Sequence, residues 1–281
     1  MKRLATKRER LTDSFDRMAD DGMWKRTGTG DRRKILDEVF DERTLKAVHT
    51  LMNKGHLQTL DFPIATGKEA SVFVGITKGA EEVAVKVYRV GNATFNSIRR
   101  YIADDPRFRV IGHDRRTVIF AWAMKEYKNL VRMHEAGVSV PFPVAYLENV
   151  LVMEYLHIGD NHDPAPPLKS LREFDGPRLY KALRRDIRRM VKVARLVHGD
   201  ISEYNIVLAG DRPFLIDVSQ AVVLDHPSSR EYLLRDARNL VRYFGKHGVD
   251  ETAEELYAYW TAGVNFEVSG KRYARQGGEE E

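Results

Sequence analysis

Cysteine is absent from the 281 residues, which excludes disulfides and thiolate metal sites and makes a reducing cytoplasm the expected setting. Long apolar runs are absent too. No window approaches the about 18 uninterrupted apolar residues of a membrane helix. The start, Met1-Lys2-Arg3-Leu4-Ala5-Thr6-Lys7-Arg8, has no apolar stretch of the secretory kind. No membrane attachment is expected. Proline is scarce, with 10 in the chain, yet Pro164, Pro166 and Pro167 stand together. That concentration, within residues 159–167, breaks regular structure and predicts a seam between two lobes.

What is present suffices for a core: 43% of residues are hydrophobic, over a length that supports one large domain or a pair of lobes. The formal net charge is +5, and basic residues cluster at 2–10, at Arg32-Arg33-Lys34, at Arg184-Arg185 with Arg188-Arg189, and at 271–275. Such a face suits RNA, because neutralised phosphates release counterions. A merely solvated helix surface is the equal alternative.

The texture changes along the chain. Ile35, Leu36, Val39, Phe40, Leu45, Val48, Leu51 and Met52 recur at helical spacing until Gly55, which predicts a helical extension over residues 1–60. A first lobe is expected over 61–158. It opens with a hairpin of residues 71–76 and 82–88 around Lys78-Gly79, followed by a mobile loop at about 91–116. Ile119, Trp122, Glu126, Leu130 and Met133 then form a helical stripe, and residues 144–147 and 150–155 a second hairpin. In the second lobe, 159–270, Leu179, Leu183, Ile187, Met190, Val191 and Ala194 define an amphipathic helix. Ser228 with Glu231 reads as the capping box of another, Asp250 as the cap of a last one, and residues 271–281 as a disordered tail.

The chemistry concentrates in His198-Gly199-Asp200-Ile201-Ser202-Glu203-Tyr204-Asn205 and Leu215-Ile216-Asp217-Val218-Ser219-Gln220. Phosphoryl transfer from ATP needs a carboxylate to orient and deprotonate the acceptor, oxygen ligands for magnesium, and a fixed cation on the phosphates. Asp200 suits the base. Asn205, five residues on, and Asp217, after an apolar strand, suit Mg²⁺, which keeps several waters and needs few protein ligands; Mn²⁺ is the possible substitute. Singly, each residue is more often a cap or an Asx-turn, but order, spacing and flanking elements coincide here. His198 reads as a packed structural residue.

Upstream, Val83-Ala84-Val85-Lys86 resembles the strand that carries a phosphate-binding lysine, with Glu126 as the partner of Lys86. Thr66-Gly67-Lys68-Glu69-Ala70-Ser71 keeps one of the three glycines of a phosphate-covering loop, and Thr66, Gly67, Lys68, Ser71 and Val72 are its candidate nucleotide contacts. At the seam, Met153 is expected to border the adenine pocket, with the carbonyl of Glu154 and the amide of Leu156 reading the base.

Taken together, Thr66-Gly67-Lys68-Glu69-Ala70, the His198–Asn205 motif and Ile216-Asp217-Val218-Ser219-Gln220-Ala221 resemble the RIO family of atypical serine/threonine protein kinases, over about residues 40–248. The resemblance is to the first subfamily rather than to the second, which carries a winged-helix domain. It implies an α+β, two-lobed protein-kinase-like fold with a β-rich N-lobe, a reduced helical C-lobe and a short helical N-terminal extension. It implies ATP and Mg²⁺ as cofactors, and self-phosphorylation or ATP hydrolysis as the output. It implies a role in maturation of the small ribosomal subunit, with the pre-small-subunit particle and its RNA as partners. It also makes Asp217 an acceptor of phosphate as well as a metal ligand, so that Asp200 and Asp217 are both catalytic.

Three departures from ordinary kinases matter. Gly199 replaces the arginine that pairs with a phosphorylated activation loop, Val218-Ser219 replaces Phe-Gly, and the 64 residues after Asp217 leave little for a peptide-docking platform. Two other readings stay open on the residues: a small-molecule phosphotransferase of the aminoglycoside or choline kinase type, and an ATP-binding ribosome assembly factor with little catalysis. Ser97 and Thr94 are candidate self-phosphorylation sites.

Overall fold

The computed structural model describes residues 39–90, 98, 101–102, 105–108 and 114–266. The basic clusters at 2–10, 32–34 and 271–275, the tail at 271–281, and Thr94 and Ser97 lie outside them.

The first helix, α1 (Glu42–Asn53), starts where Asp41 caps it by accepting the Thr44 N–H at 2.9 Å. Its buried residues Leu45, Val48 and Leu51 share one core with Phe40 and with the sheet residues Phe73, Val83, Val85 and Val87. This corrects the expected division at residue 60. From residue 39 the chain already belongs to the N-lobe, because an amphipathic stripe of this kind is stable only against a second apolar layer.

That layer is a five-stranded antiparallel sheet in the order β1-β2-β3-β5-β4. Its strands are β1 (Thr59–Thr66), β2 (Ala70–Ile76), β3 (Glu82–Tyr88), β4 (Pro143–Leu147) and β5 (Val150–Glu154). β1 has no clear signature in the sequence. Pro63 removes a ladder donor, and the register to β2 slips on both sides of it. Alternation then divides β2 and β3 into two faces. Phe73, Val83, Val85 and Val87 face α1, whereas Val72, Val74, Ala84, Lys86 and Tyr88 face the other way.

The long helix α2 (Arg115–Glu135) begins at Asp114, whose carboxylate accepts the Thr117 N–H at 3.0 Å. Its first half packs with Tyr88, Ile98, Ile102 and Phe108, and its last turns, through Leu130 and Met133, enter the C-lobe core. One element is therefore shared by both lobes. Most of the loop expected at 91–116 lies outside the described residues, and its last two residues already belong to α2.

The seam is a short hairpin, β6 (His157–Ile158) with β7 (Asp163–Pro164). The C-lobe follows as α3 (Gly176–Lys192), α4 (Ser229–Phe244) and α5 (Ala253–Thr261), around a core that includes Leu183, Ile187, Met190, Leu233, Leu240, Phe244 and Trp260. The reciprocal capping box stands at Thr252 and Glu255, opening α5, rather than at Ser228, whose side chain makes no cap bond. Two small antiparallel pairs brace the loops between α3 and α4: β8 (Leu196–Val197) with β11 (Val222–Val223), and β9 (Ile206–Ala209) with β10 (Arg212–Leu215). No helix among the described residues is long and apolar enough to cross a membrane.

Candidate active site

The two motif loops and the Lys86 face of the sheet converge between the lobes. Lys86 Nζ donates to Glu126 Oε1 at 2.8 Å and to Asp217 Oδ1 at 3.2 Å, and the Tyr88 hydroxyl donates to the other oxygen of Glu126. One ammonium from β3 thus joins a carboxylate of α2 to a carboxylate of the C-lobe. The ammonium keeps its charge: burial works to lower it, but Asp217 and Glu126 outweigh burial and hold it above the ordinary lysine range. Burial pushes the Glu126 carboxyl upward, and Lys86 opposes this.

Asp217 adopts a left-handed backbone, φ 57° and ψ 56°, which a short polar side chain tolerates better than most. A single 3₁₀ turn, Val218–Gln220, follows it, and Ser219 Oγ donates to Asp217 Oδ1 at 2.9 Å. Two buried residues of α2 hold this turn. Lys125 Nζ donates to the carbonyls of Ser219 and Ala221 at 2.8 and 2.5 Å, and Asn129 Nδ2 to those of Val218 and Ala221 at 2.8 and 3.1 Å. Burial lowers the Lys125 ammonium to about 7.

The second loop is held from α4. The buried Asp236 carboxylate accepts the N–H of Gly199 at 2.7 Å and that of Ile201 at 2.9 Å, and so grips the peptides on either side of Asp200. Asn239 Nδ2 donates to Ile201 O at 3.1 Å, and the Arg235 guanidinium to Gly199 O. Gly199 has φ +79°, a conformation in which a side chain would be strained, so the arginine of ordinary kinases does not fit this backbone. His198 is fully buried, donating from Nε2 to Ile216 O at 3.2 Å, and burial lowers it to about 4. It is a neutral brace between the two loops.

Asp200 and Asp217 are driven apart electrostatically. Burial and the negative charge of Asp217 raise the Asp200 carboxyl, against Arg235 and Asn205. Burial also works to raise Asp217, but Lys86 and the Ser219 hydroxyl hold it below the usual carboxylate range. Two neighbouring carboxylates therefore have opposed shifts, the electrostatic arrangement that divides acid–base work from charge stabilisation.

The donor set fits magnesium. Asn205 Nδ2 is committed to the Asp200 carbonyl at 2.9 Å and to Asp200 Oδ2 at 3.1 Å, so the amide oxygen is the atom of Asn205 that could ligate a cation. Asp217 spends Oδ1 on Lys86 and Ser219 and keeps Oδ2. Hard oxygen atoms from one amide and one carboxylate suit a cation that retains waters.

Residues 71–257 match the family model described as RIO domain. The chain is 39% identical over 259 residues to the RIO-type serine/threonine-protein kinase Rio1 of Haloferax volcanii, covering 92% of this chain and 86% of that protein. It is 39% identical over 228 residues to Rio1 of Methanocaldococcus jannaschii, covering 81% and 77%. The chain belongs to the RIO family of atypical serine/threonine kinases. Human serine/threonine-protein kinase RIO1 is 35% identical over 234 residues, which are 82% of this chain and 41% of that protein. A solved structure, the Rio2 kinase-ADP/Mg²⁺-phosphoaspartate complex from Chaetomium thermophilum, aligns with a TM-score of 0.60 at 24% identity, covering 92% of this chain and 77% of that one. At that identity the likeness concerns the fold, which is the two-lobed kinase fold.

Within the RIO fold the expected residues take several places. Lys86, Glu126, Asp200, Asn205 and Asp217 come together as described. Val72 and Met153 share an apolar cluster with Ile64, Val74, Ala84 and Tyr155 on the Lys86 face of the sheet. The N–H of Glu154 and the carbonyl of Leu156 are taken by Phe142 O and Ala165 N, the halves of these residues not expected to face the base. Thr66, Gly67 and Lys68 form the exposed tip of the β1–β2 hairpin, closed by the Gly67 N–H to Ala70 O at 2.9 Å. Ser71 departs from expectation. It is fully buried and its Oγ accepts from Arg89 Nη2 at 3.2 Å, because alternation turns it to the face opposite Val72. Sequence reasoning misses Glu69, whose carboxyl is raised by burial, Asp217 and Asp200, against Lys86. It also misses Tyr88, Lys125, Asn129 and Asp236.

Proposed function

We propose that Lys86, Asp200, Asn205 and Asp217 are the phosphoryl-transfer machinery of an ATP- and Mg²⁺-dependent kinase and ATPase, as the ADP/Mg²⁺ complex of the related Rio2 fold suggests. The observation that carries this reading is the Lys86 ammonium bonded at once to Glu126 and Asp217. Lys86 binds the α- and β-phosphates, and Asn205 and Asp217 hold the metal. Bound Mg²⁺ neutralises the charge that develops on the transferring phosphoryl group. Asp200, with its raised carboxyl, takes the proton of an attacking hydroxyl or water. Ile64, Val72, Ala84 and Met153 form the apolar surface for the adenine ring.

Asp217 is also the first acceptor. Oδ2 of its carboxylate, the oxygen that Lys86 and Ser219 leave unbonded, forms a bond to the γ-phosphorus, the bond to the β,γ-bridging oxygen breaks, and ADP leaves. Water, deprotonated by Asp200, then releases inorganic phosphate. The Rio2 complex holds a phosphoaspartate, which supports this reading. The test is to label the chain with γ-³²P-ATP and expose it to hydroxylamine. Label in an acyl phosphate is released and is missing in Asp217→Asn, whereas label on serine survives. Label that is wholly hydroxylamine-stable contradicts Asp217 as acceptor.

We further propose that the partner is a cytoplasmic small-subunit precursor particle and its RNA. Support comes from the RIO family and from α3, on which Arg185 and Lys192 are exposed. Only part of the basic cluster is available for RNA, since Arg184 pairs with Glu251 at 2.9 Å and both Arg184 and Arg188 lie over the Tyr259 ring. The double substitution Arg185→Glu with Lys192→Glu is expected to weaken cosedimentation with precursor particles and to flatten its salt dependence. Unchanged cosedimentation removes this face from the interface.

A further inference from the structure

The hairpin at the seam carries a cluster that phosphoryl transfer does not use. Glu82 opens β3, His157 lies in β6 and His162 in the turn to β7, and each presents a ligand atom within 4.8 Å of the other two. The arrangement is built from the backbone outward. His162 sits at φ +55°, and its carbonyl accepts the Tyr155 hydroxyl at 2.9 Å. Its ring lies over that of His157, with centroids 4.3 Å apart and planes at 20°. The His157 ring rests in turn on Tyr155, at 5.8 Å and 29°. Nδ1 of His162 lies 2.6 Å from Glu82 Oε2.

An ion pair between Glu82 and His162 needs no second imidazole, yet a ring nitrogen of His157 lies within 4.8 Å of both ligand atoms. A cation accounts for all three. Two imidazole nitrogens and one carboxylate are the donor set that selects zinc-class ions over magnesium, which prefers oxygen alone. The side chains of Glu82 and His162 remain 32% and 50% exposed, so an ion reaches them from solvent without unfolding. The protein also has no cysteine to compete for it.

We propose that Glu82, His157 and His162 form a binding site for a divalent transition-metal ion of the zinc class, with water as the fourth ligand. The site clamps the start of β3, four residues ahead of Lys86, to the β6–β7 hairpin of the seam. Tyr155, on which His157 stacks, is packed with Val74 and Ala84. The bound ion therefore stiffens the floor of the seam.

The test uses the full chain, stripped with chelator and held in excess Mg²⁺ so that the Asn205 and Asp217 oxygens are occupied. Equilibrium dialysis is expected to give one equivalent of Zn²⁺, Co²⁺ to give the visible absorption of a four-coordinate site, and Zn²⁺ to raise the melting temperature. His157→Ala and His162→Ala should each weaken Zn²⁺ binding by more than about tenfold, since a ligand matters more than its outer-shell support. Both should abolish the melting shift while melting like wild type in chelator. Asp217→Asn should keep the Zn²⁺ site. Zn²⁺ binding that persists in both histidine variants, binding lost only in Asp217→Asn, or no binding in wild type overturns the proposal.

Discussion

Replacing Asp200 by alanine is expected to reduce phosphoryl transfer to hydroxyl acceptors and to water by about 10²–10⁴-fold, the span that a positioned general base contributes. ATP affinity should stay close to that of wild type. Among the described residues the Asp200 carboxylate accepts hydrogen bonds from the side-chain amides of Asn205 and Gln220, at 3.1 and 3.4 Å, and not from Lys86. The variant also keeps the backbone carbonyl to which Asn205 Nδ2 donates at 2.9 Å, so the metal-seeking amide oxygen keeps its orientation.

The same variant separates the two acceptors. A hydroxyl must lose a proton when it attacks phosphorus; the Asp217 carboxylate, held below the usual range mainly by Lys86, has none to lose. Formation of the acyl phosphate should thus survive Asp200→Ala, and its hydrolysis should slow. Hydroxylamine-sensitive label should accumulate while hydroxylamine-stable label disappears. If both species form and decay at wild-type rates, Asp200 is not the base. If both vanish along with ATP binding, its role is in assembling the site.

The residues that were legible in the sequence are those whose chemistry forces a spacing. Asp200, Asn205 and Asp217 stand on two short loops between regular elements, so their distance in sequence reports their distance in space. Lys86 was legible because strand alternation fixes its face. Lys125 and Asn129 were not, because lysine and asparagine at helical spacing read as a solvated face. α2 lies between the lobes and is buried on more than one side, with Lys125, Glu126 and Asn129 each at 1% exposure or less. Asp236 did leave a signal, a carboxylate amid Leu233, Ala237 and Leu240 on the buried side of α4. A charge in such a stripe needs a partner, and backbone N–H groups thirty-odd residues upstream leave no mark on composition. β1 and the true start of the N-lobe were obscured for another reason: Pro63 interrupts the strand, and α1 is so amphipathic that it reads as an independent helix until the sheet that covers it is seen.

Asp236 therefore carries the largest expected loss of stability. Asp236→Ala leaves the N–H groups of Gly199 and Ile201 without their acceptor in the core, at about 1–3 kcal/mol for each. Against a typical total of about 5–15 kcal/mol that is a large share, and a fall in melting temperature of about 5–20 °C follows for a chain of this size. Activity should fall further than folding does, because both freed peptides flank Asp200. Asp236→Asn, which keeps one accepting oxygen, should lie between. Burial raises Asp236 to about 7, even though two N–H donors favour its ionised form. In the unfolded chain an aspartate titrates near 3.9. The folded protein therefore binds the extra proton between those values, and the stability linked to it is complete below about pH 4 and lost as pH rises through about 7. The advantage of wild type over Asp236→Asn in melting temperature should shrink from about pH 5 to about pH 8. An advantage that grows with pH means that the two N–H donors outweigh burial and Asp236 grips the catalytic loop as an anion.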